Sequence, residues 1–485
     1  MSNRDLEYIT PTTFVESLES QAFTDFLQSV TSKDSSILSI TLPIAGIDPL
    51  AALELNSDYQ EIFYWNHPEN SISISAAGSI LELKATGTGR FEEIAEQTAK
   101  LKDQIDAYTV IDHSMAGPLF LGGYSFADHN VGSLWKKFGA ARFVLPEWML
   151  IEIGNLHLLT LIIVRNGRPA DEIYQEVISR ITDFLNLAGH LNQHTDKSGN
   201  KQPNILCTLQ EPKEREEWIE KVEKAKSLIN KGLFEKIVIA RSTQMSSKGD
   251  IVPTHLAHQL REKYPACYNF LIQRDRETSF VGATPERLAS FNNGIFLTEG
   301  LAGSISRGRS ALEDATFAQS LYRSRKDRNE HQFVVKAIDD SLEKFSHNIE
   351  RPANPGIKKL QNVQHLFTPI RASIKDGVQI HQLLQELHPT PAVGGFPKNE
   401  SVPHIHGIEN MERGWYAAPV GWFNLNGCGE FAVAIRSALL HKNKAELYAG
   451  CGIVEDSDPE KEWAETLLKF IPIMDALNQL DADHG

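Results

Sequence analysis

Residues 214–242, EREEWIEKVEKAKSLINKGLFEKIVIARS, change period part-way along, and that change decides the fold class. In the first part Trp218, Val222, Ala225 and Ile229 recur at helical spacing, and Gly232 stands where a helix C-cap belongs. In the second, Phe234, Lys236, Val238 and Ala240 alternate with their neighbours, the period of a strand. A helix runs straight into a strand.

The same exchange repeats outward. HLAHQLREKYP reads as a helix, YNFLIQRD and SFVGA as strands, and RNEHQFVVKAIDDSLEKF (328–345) as a long helix. APVGWFNL and EFAVAIRSALL read as strands. Upstream, FEEIAEQTAKLKDQIDAY (91–108) places Ile94, Leu101 and Ile105 at helical spacing. SISISAAGSILELKA (71–85) alternates like two antiparallel strands joined through glycine. The polar stretch NQHTDKSGNKQPN (192–204) reads as a linker or exposed loop. Hairpin-like strand pairs mixed with helices predict an α+β protein.

Bulk properties exclude several classes. A net charge of −15 disfavours nucleic acid or an anionic membrane as partner, although a local basic pocket could hold a small anion. The four cysteines (Cys207, Cys267, Cys428 and Cys451) have no zinc-ligand spacing and are too sparse for a disulfide framework. No signal peptide is visible in MSNRDLEYIT, and LHLLTLIIV (156–164) is too short to span a membrane. A soluble, cytoplasmic protein is expected.

Five places carry residues capable of chemistry. Lys236 shares its strand face with apolar residues; burial there would disfavour its charged form, whereas a strand-edge lysine would snorkel to water. Glu286, in GATPERL, follows Thr284 and Pro285 in the pattern of a helix start; the other reading is a general acid. Glu330 is either an exposed helix carboxylate or one oxygen ligand of a Mg²⁺ site. In LYAGCGIVEDSDPEKEWAETLLKF (447–470) a small-residue turn leads to a helix on which Glu462, Glu465 and Lys469 share a face. They form a solvated stripe or supply metal ligands. Arg436, among Ala432 and Ala434, needs an anion, internal or bound. Neither GxGxxG nor a Walker A sequence occurs, so nucleotide binding has no support.

Taken in order, EKIVIAR, GATPERL, TEGLAGS, RNEHQFVV, VQHLFTPI, LHPTPAVGG, RGWYAAPVGW, EFAVAIRSALL and YAGCGIVEDSDPEKEWAETLLK resemble the chorismate-utilising enzyme family over residues 210–478. Within it the sequence is most similar to isochorismate synthases of the menaquinone type, with Lys236 as the discriminator. The resemblance implies an anthranilate synthase component I-like fold, with two packed antiparallel β-sheets surrounded by helices. It divides the chain into a variable N-terminal part (1–200) and a catalytic part (205–478), packed as one unit.

It also implies roles. Lys236 would be the base that activates water, and Glu286 the acid that protonates the leaving hydroxyl. Mg²⁺ would be held by Glu330 and Glu465, with Glu462 assisting directly or through water. Arg436, Tyr416 and the Gly450 N–H would grip the enolpyruvyl carboxylate of chorismate, with His365 near the leaving hydroxyl. Gly303 and Ser304 would line the ring pocket, and Lys469 would neutralise the ring carboxylate or pair with Glu465. No glutaminase subunit is expected, and the chain should be a monomer or weak homodimer. Salicylate synthase and a non-catalytic chorismate-binding protein are the rival readings.

Overall fold

The computed structural model of the chain describes residues 18–31, 37–44, 46–56, 58–128, 132–191, 205–207 and 211–482. The stretch expected as a linker, 192–204, lies outside them. Among the described residues the strands gather into a 13-stranded and a 10-stranded sheet. With helices around them, the chain has the expected α+β architecture.

The first sheet runs from Lys236–Ser247 through Lys444–Ile453, Ser437–His441, Thr278–Thr284 and Tyr268–Asp275. It then continues without a break into Ile62–His67, Ile72–Ala77, Trp148–Ile153 and Leu156–Val164. The second contains Val363–Ile374, Ile295–Ser306, Arg287–Asn292, Gly429–Val433, Pro419–Asn424, Leu119–Tyr124 and Ala141–Leu145 in spatial order. Both sheets thus mix strands from early and late in the chain. One core cluster draws on both: Trp65, Met149 and Phe270 from the first, Phe120, Phe143 and Phe431 from the second. Each such buried side chain contributes about 1.5–3 kcal/mol. A second cluster fills the space between the first sheet and the helices Gln21–Thr31, Pro253–Lys263 and Pro459–Ala482.

Four local expectations are corrected. The helix expected over 91–108 covers Arg90–Leu101 only, and Ile105–Thr109 is an edge strand parallel to Ile37–Thr41. SISISAAGSILELKA is not a hairpin: Ile72–Ala77 belongs to the first sheet and Leu81–Ala85 to the second. Gly78, at φ +80°, turns the chain from one to the other. The run YAGCG is not a turn but part of an inner strand, Lys444–Ile453, paired with the Lys236 strand.

The fourth correction matters most. Thr284-Pro285-Glu286 does not start a helix; it is the link by which the chain leaves Thr278–Thr284 in the first sheet for Arg287–Asn292 in the second. EFAVAIRSALL makes the return journey, breaking between Gly429–Val433 in the second sheet and Ser437–His441 in the first. The two crossovers lie side by side and bond to each other. Val433 N–H donates to Glu286 O at 3.1 Å, Ala283 N–H to Arg436 O at 3.1 Å, and Thr284 Oγ1 to Val433 O at 2.6 Å. The cap-like bond from the Glu286 N–H to Thr284 Oγ1 persists at 3.3 Å, but the bonds between the crossovers take the backbone carbonyl of Glu286, so tertiary pairing overrides the local pattern.

Candidate active site

The paired crossovers open onto a cavity of about 940 Å³, solvent mouth included. Glu286, Gly303, Ser304, His365, Tyr416 and Arg436 line it on one side, and Glu330, Glu462, Glu465, Lys469 and Gly450 on the other. Lys236 reaches this second group through its bond to Glu330.

On the crossover side, burial does most of the electrostatic work. Glu286 is 4% exposed. Burial, reinforced by the charge of Glu299, pushes its carboxyl up to about 8, so it carries a proton at neutral pH. His365 is held well below its usual range by burial and by the charge of Arg436, so its ring is neutral. Its tautomer follows from its neighbours. Arg436 can only donate, so His365 Nε2 accepts from it at 3.3 Å, and Nδ1–H donates to Gly303 O at 3.1 Å. Ser304 Oγ lies 3.0 Å from the same Nδ1.

Gly303, at φ +71°, forms the bulge in Ile295–Ser306 that makes this contact; a Cβ there would sit 3.0 Å from Asp327 Cβ. Arg436 is 5% exposed, and among the described residues no carboxylate lies within ion-pair distance of it. Burial pulls its guanidinium below the ordinary value, and an anion from outside would restore it. Tyr416 is buried beside it, stacked on Tyr448 at 5.2 Å. Arg436 and Ala417 both hold left-handed backbone, at φ +51° and +60°, a conformation that costs a non-glycine residue about 1 kcal/mol.

On the opposite side Glu330, Glu462 and Glu465 each have a lysine. Lys236 Nζ donates to Glu330 Oε1 at 2.8 Å, Lys469 Nζ to Glu465 Oε1 at 2.7 Å, and Lys326 Nζ reaches Glu462 Oε1 at 3.5 Å. Burial alone would raise Glu330, but the charge and hydrogen bond of Lys236 override it and hold the carboxyl below its usual value. Glu462 is raised, first by burial and then by the charge of Glu465. Burial works against the charge of Lys469, and Glu465 overrides it, holding the ammonium above its ordinary range.

Lys469 Nζ also donates to Gly450 O at 2.8 Å. In an extended strand the N–H of a residue points to the same edge as its C=O, so the Gly450 N–H faces the cavity edge beyond Ser437, where the neighbouring strand ends. Gly452 has no room for a side chain: a Cβ would lie 2.7 Å from Lys236 Cε and 2.9 Å from Glu330 Oε1.

The structure therefore brings every residue singled out in the sequence to one cavity, or within one bond of it. Lys236 is fully buried, as its strand face implied, yet its nitrogen serves as ion-pair donor to Glu330 rather than standing alone. Among the described residues no three His, Cys, Asp or Glu side chains converge closely enough to hold a metal ion. The donor set nonetheless suits a hard cation. It consists of three carboxylates from two helices, each balanced by an ammonium instead of locked into permanent bonds, with Glu462 and Glu465 repelling each other.

Sequence reasoning missed Lys326, Lys358 and Glu299. Lys326 was detectable, lying four residues before Glu330 on the same helix. Lys358 gives no local signal, since it sits in a short polar strand, Gly356–Lys359, that resembles a loop.

A buried proton donor, a lysine, an unpaired buried arginine and a carboxylate cluster around one cavity define an acid–base enzyme for a small anionic substrate. A family profile described as "Chorismate binding enzyme" matches residues 22–478. The salicylate biosynthesis isochorismate synthase of Pseudomonas aeruginosa is 37% identical over 92% of this chain and 90% of its own. The isochorismate synthase MenF of Bacillus subtilis is 32% identical over 91% and 93% respectively. Among solved structures, a putative 2,3-dihydroxybenzoate-specific isochorismate synthase from Bacillus anthracis superposes with a TM-score of 0.68 at 26% identity. That match covers 88% of this chain and 99% of the other. The menaquinone-specific isochorismate synthase from Escherichia coli, 23% identical, shares the fold with a TM-score of 0.72, covering 94% of this chain and all of its own. The chain belongs to the chorismate-binding enzyme family.

Proposed function

We propose that the protein is an isochorismate synthase, which adds water at C2 of chorismate and expels the C4 hydroxyl as water. The observation that carries the reading is Glu286 in the cavity wall, its carboxyl kept protonated by burial, with Lys236 one hydrogen bond from the same cavity through Glu330. Lys236, as general base, takes a proton from the attacking water. Glu286 gives its proton to the departing C4 oxygen, the ring double bonds shift, and water in equals water out. Each such positioned group is typically worth about 10²–10⁴ in rate. Arg436, Tyr416 and the Gly450 N–H hold one substrate carboxylate. His365 accepts from Arg436 and so keeps that guanidinium aimed.

Glu330, Glu462 and Glu465 would hold Mg²⁺, which when bound supplies positive charge for the second carboxylate of the substrate. Glu330 Oε1 is taken by Lys236, leaving Oε2 for that purpose. The relatives named isochorismate synthase support the reaction. The destination we propose is menaquinone, supported by likeness to the Bacillus subtilis MenF protein. Salicylate is the second destination, favoured by the Pseudomonas aeruginosa relative.

The test is product identification from chorismate with and without Mg²⁺. Isochorismate alone is expected; salicylate would indicate pyruvate elimination on the same scaffold. Binding without turnover would make the chain a chorismate-binding protein only. Loss of menaquinone, and not of salicylate, on deleting the gene would fix the destination.

A further inference from the structure

Glu299 and Lys358 have no role in the reaction just described, yet together they bracket its proton donor. Glu299, 8% exposed, stands in Ile295–Ser306, and Lys358 in Gly356–Lys359, a short strand that pairs, like Ile295–Ser306, with Val363–Ile374. Glu299 Oε1 accepts from the Arg287 N–H at 3.0 Å and from Lys358 Nζ at 2.9 Å. Lys358 Nζ also donates to Pro285 O at 2.8 Å. One oxygen and one nitrogen thus hold the peptide groups on both sides of Glu286. Arg287 is anchored again by its side chain, whose Nε donates to Tyr268 OH at 2.8 Å, and that hydroxyl donates to Glu430 Oε1 at 2.9 Å.

Four charged groups face Glu286: Glu299 and Lys358 from the second sheet, Lys236 from the first, and Lys469 from the C-terminal helix. After burial, Glu299 is the strongest influence keeping the proton on Glu286, and Lys358 the strongest influence drawing it off. The two therefore agree in geometry and oppose each other in charge.

We propose that Glu299 and Lys358 form a positioning pair for the general acid, clamping its backbone together and balancing each other's field at its carboxyl. The proposal rests on the reading of Glu286 as the proton donor. A clamp alone would make loss of either partner act in the same direction. A clamp with opposed charges makes the two variants diverge.

The experiment is an infrared titration of the buried carboxyl without chorismate, its band assigned by its loss in Glu286→Gln. Glu299→Gln retains an oxygen for the Arg287 N–H while removing the charge; Lys358→Met removes the opposing charge, with Lys358→Gln in reserve if Met does not fold. The midpoint should fall in Glu299→Gln and rise in the Lys358 variant. For a one-unit displacement, isochorismate formation by Glu299→Gln drops about eightfold against the unsubstituted enzyme at pH 8.5 and stays within about twofold at pH 6.5. Midpoints that stay put, or move together, overturn the proposal. Divergent midpoints in a protein that makes no isochorismate would uphold the pair and overturn the activity.

Discussion

The two sides of the cavity hold charge in different ways. On the crossover side, Glu286 and Arg436 sit on short links between sheets, nearly sealed from water, and neither has an ion-pair partner among the described residues. Burial shifts both toward their uncharged forms, and the bonds between the crossovers fix their positions. On the helix side, Glu330, Glu462 and Glu465 stand on two helices, each with a lysine as counter-charge. Exposure rises here, to 33% for the side chain of Glu465. The first side is preorganised for one protonation state and one substrate anion; the second keeps its charges in exchangeable pairs. The proposed proton transfer would use the former, and the proposed cation binding the latter.

Substitutions on the crossover side, and at its partner base, should therefore be felt in the chemical step. Glu286→Gln and Lys236→Ala are each expected to lower kcat for isochorismate formation by about 10²–10⁴, while chorismate binding measured by calorimetry persists. Near-normal turnover by either would end its assignment. Arg436→Met should instead raise KM by about 10²-fold, since it removes the buried cation that meets the carboxylate. A fall in kcat at unchanged KM would move Arg436 from substrate grip to catalysis.

A third prediction concerns stability. A carboxyl raised from 4.5 to about 8 favours folding fully below the lower value, and that contribution is lost as pH climbs through the upper. Glu286→Gln carries no such titration. Its stability relative to the unsubstituted protein should grow by about 4 kcal/mol between pH 5 and pH 8.5 in urea unfolding. A pH-independent difference would mean that Glu286 is ionised at neutral pH. The smallest effect belongs to the helix side. Glu465→Gln should raise half-saturating Mg²⁺ by about tenfold with kcat at saturation little changed, as for loss of one ligand among several. Equal Mg²⁺ dependence would place the cation elsewhere and weaken the contrast.

The sequence carried the helix side better than the crossover side. Helical spacing put Glu462, Glu465 and Lys469 on one face, and strand alternation put Lys236 among apolar neighbours; both follow from local geometry and both are met. Thr284-Pro285-Glu286 satisfied every rule for a helix start, and only residues far along the chain, Val433 above all, make it a link between sheets. The same holds for Arg436: alternation in EFAVAIRS gave one strand, whereas the backbone turns left-handed at the arginine and changes sheet. Small residues in YAGCG read as a turn because glycine permits turns. Gly452 is small for another reason, the ion pair packed where its side chain would be. Period is a local property, and membership of one sheet or the other is not.

The bonds between the crossovers also set a timetable. The contact from Thr284 to Val433 spans 149 residues, and Arg436 lies three residues further on. A growing chain that has already exposed Lys236 and Glu286 still lacks the strand that holds the acid in place. The cavity therefore cannot assemble until the strands Gly429–Val433, Ser437–His441 and Lys444–Ile453 and the helix Pro459–Ala482 have emerged. A chain that stops short of Val433 carries the proposed acid and base but not the cavity that would hold them together.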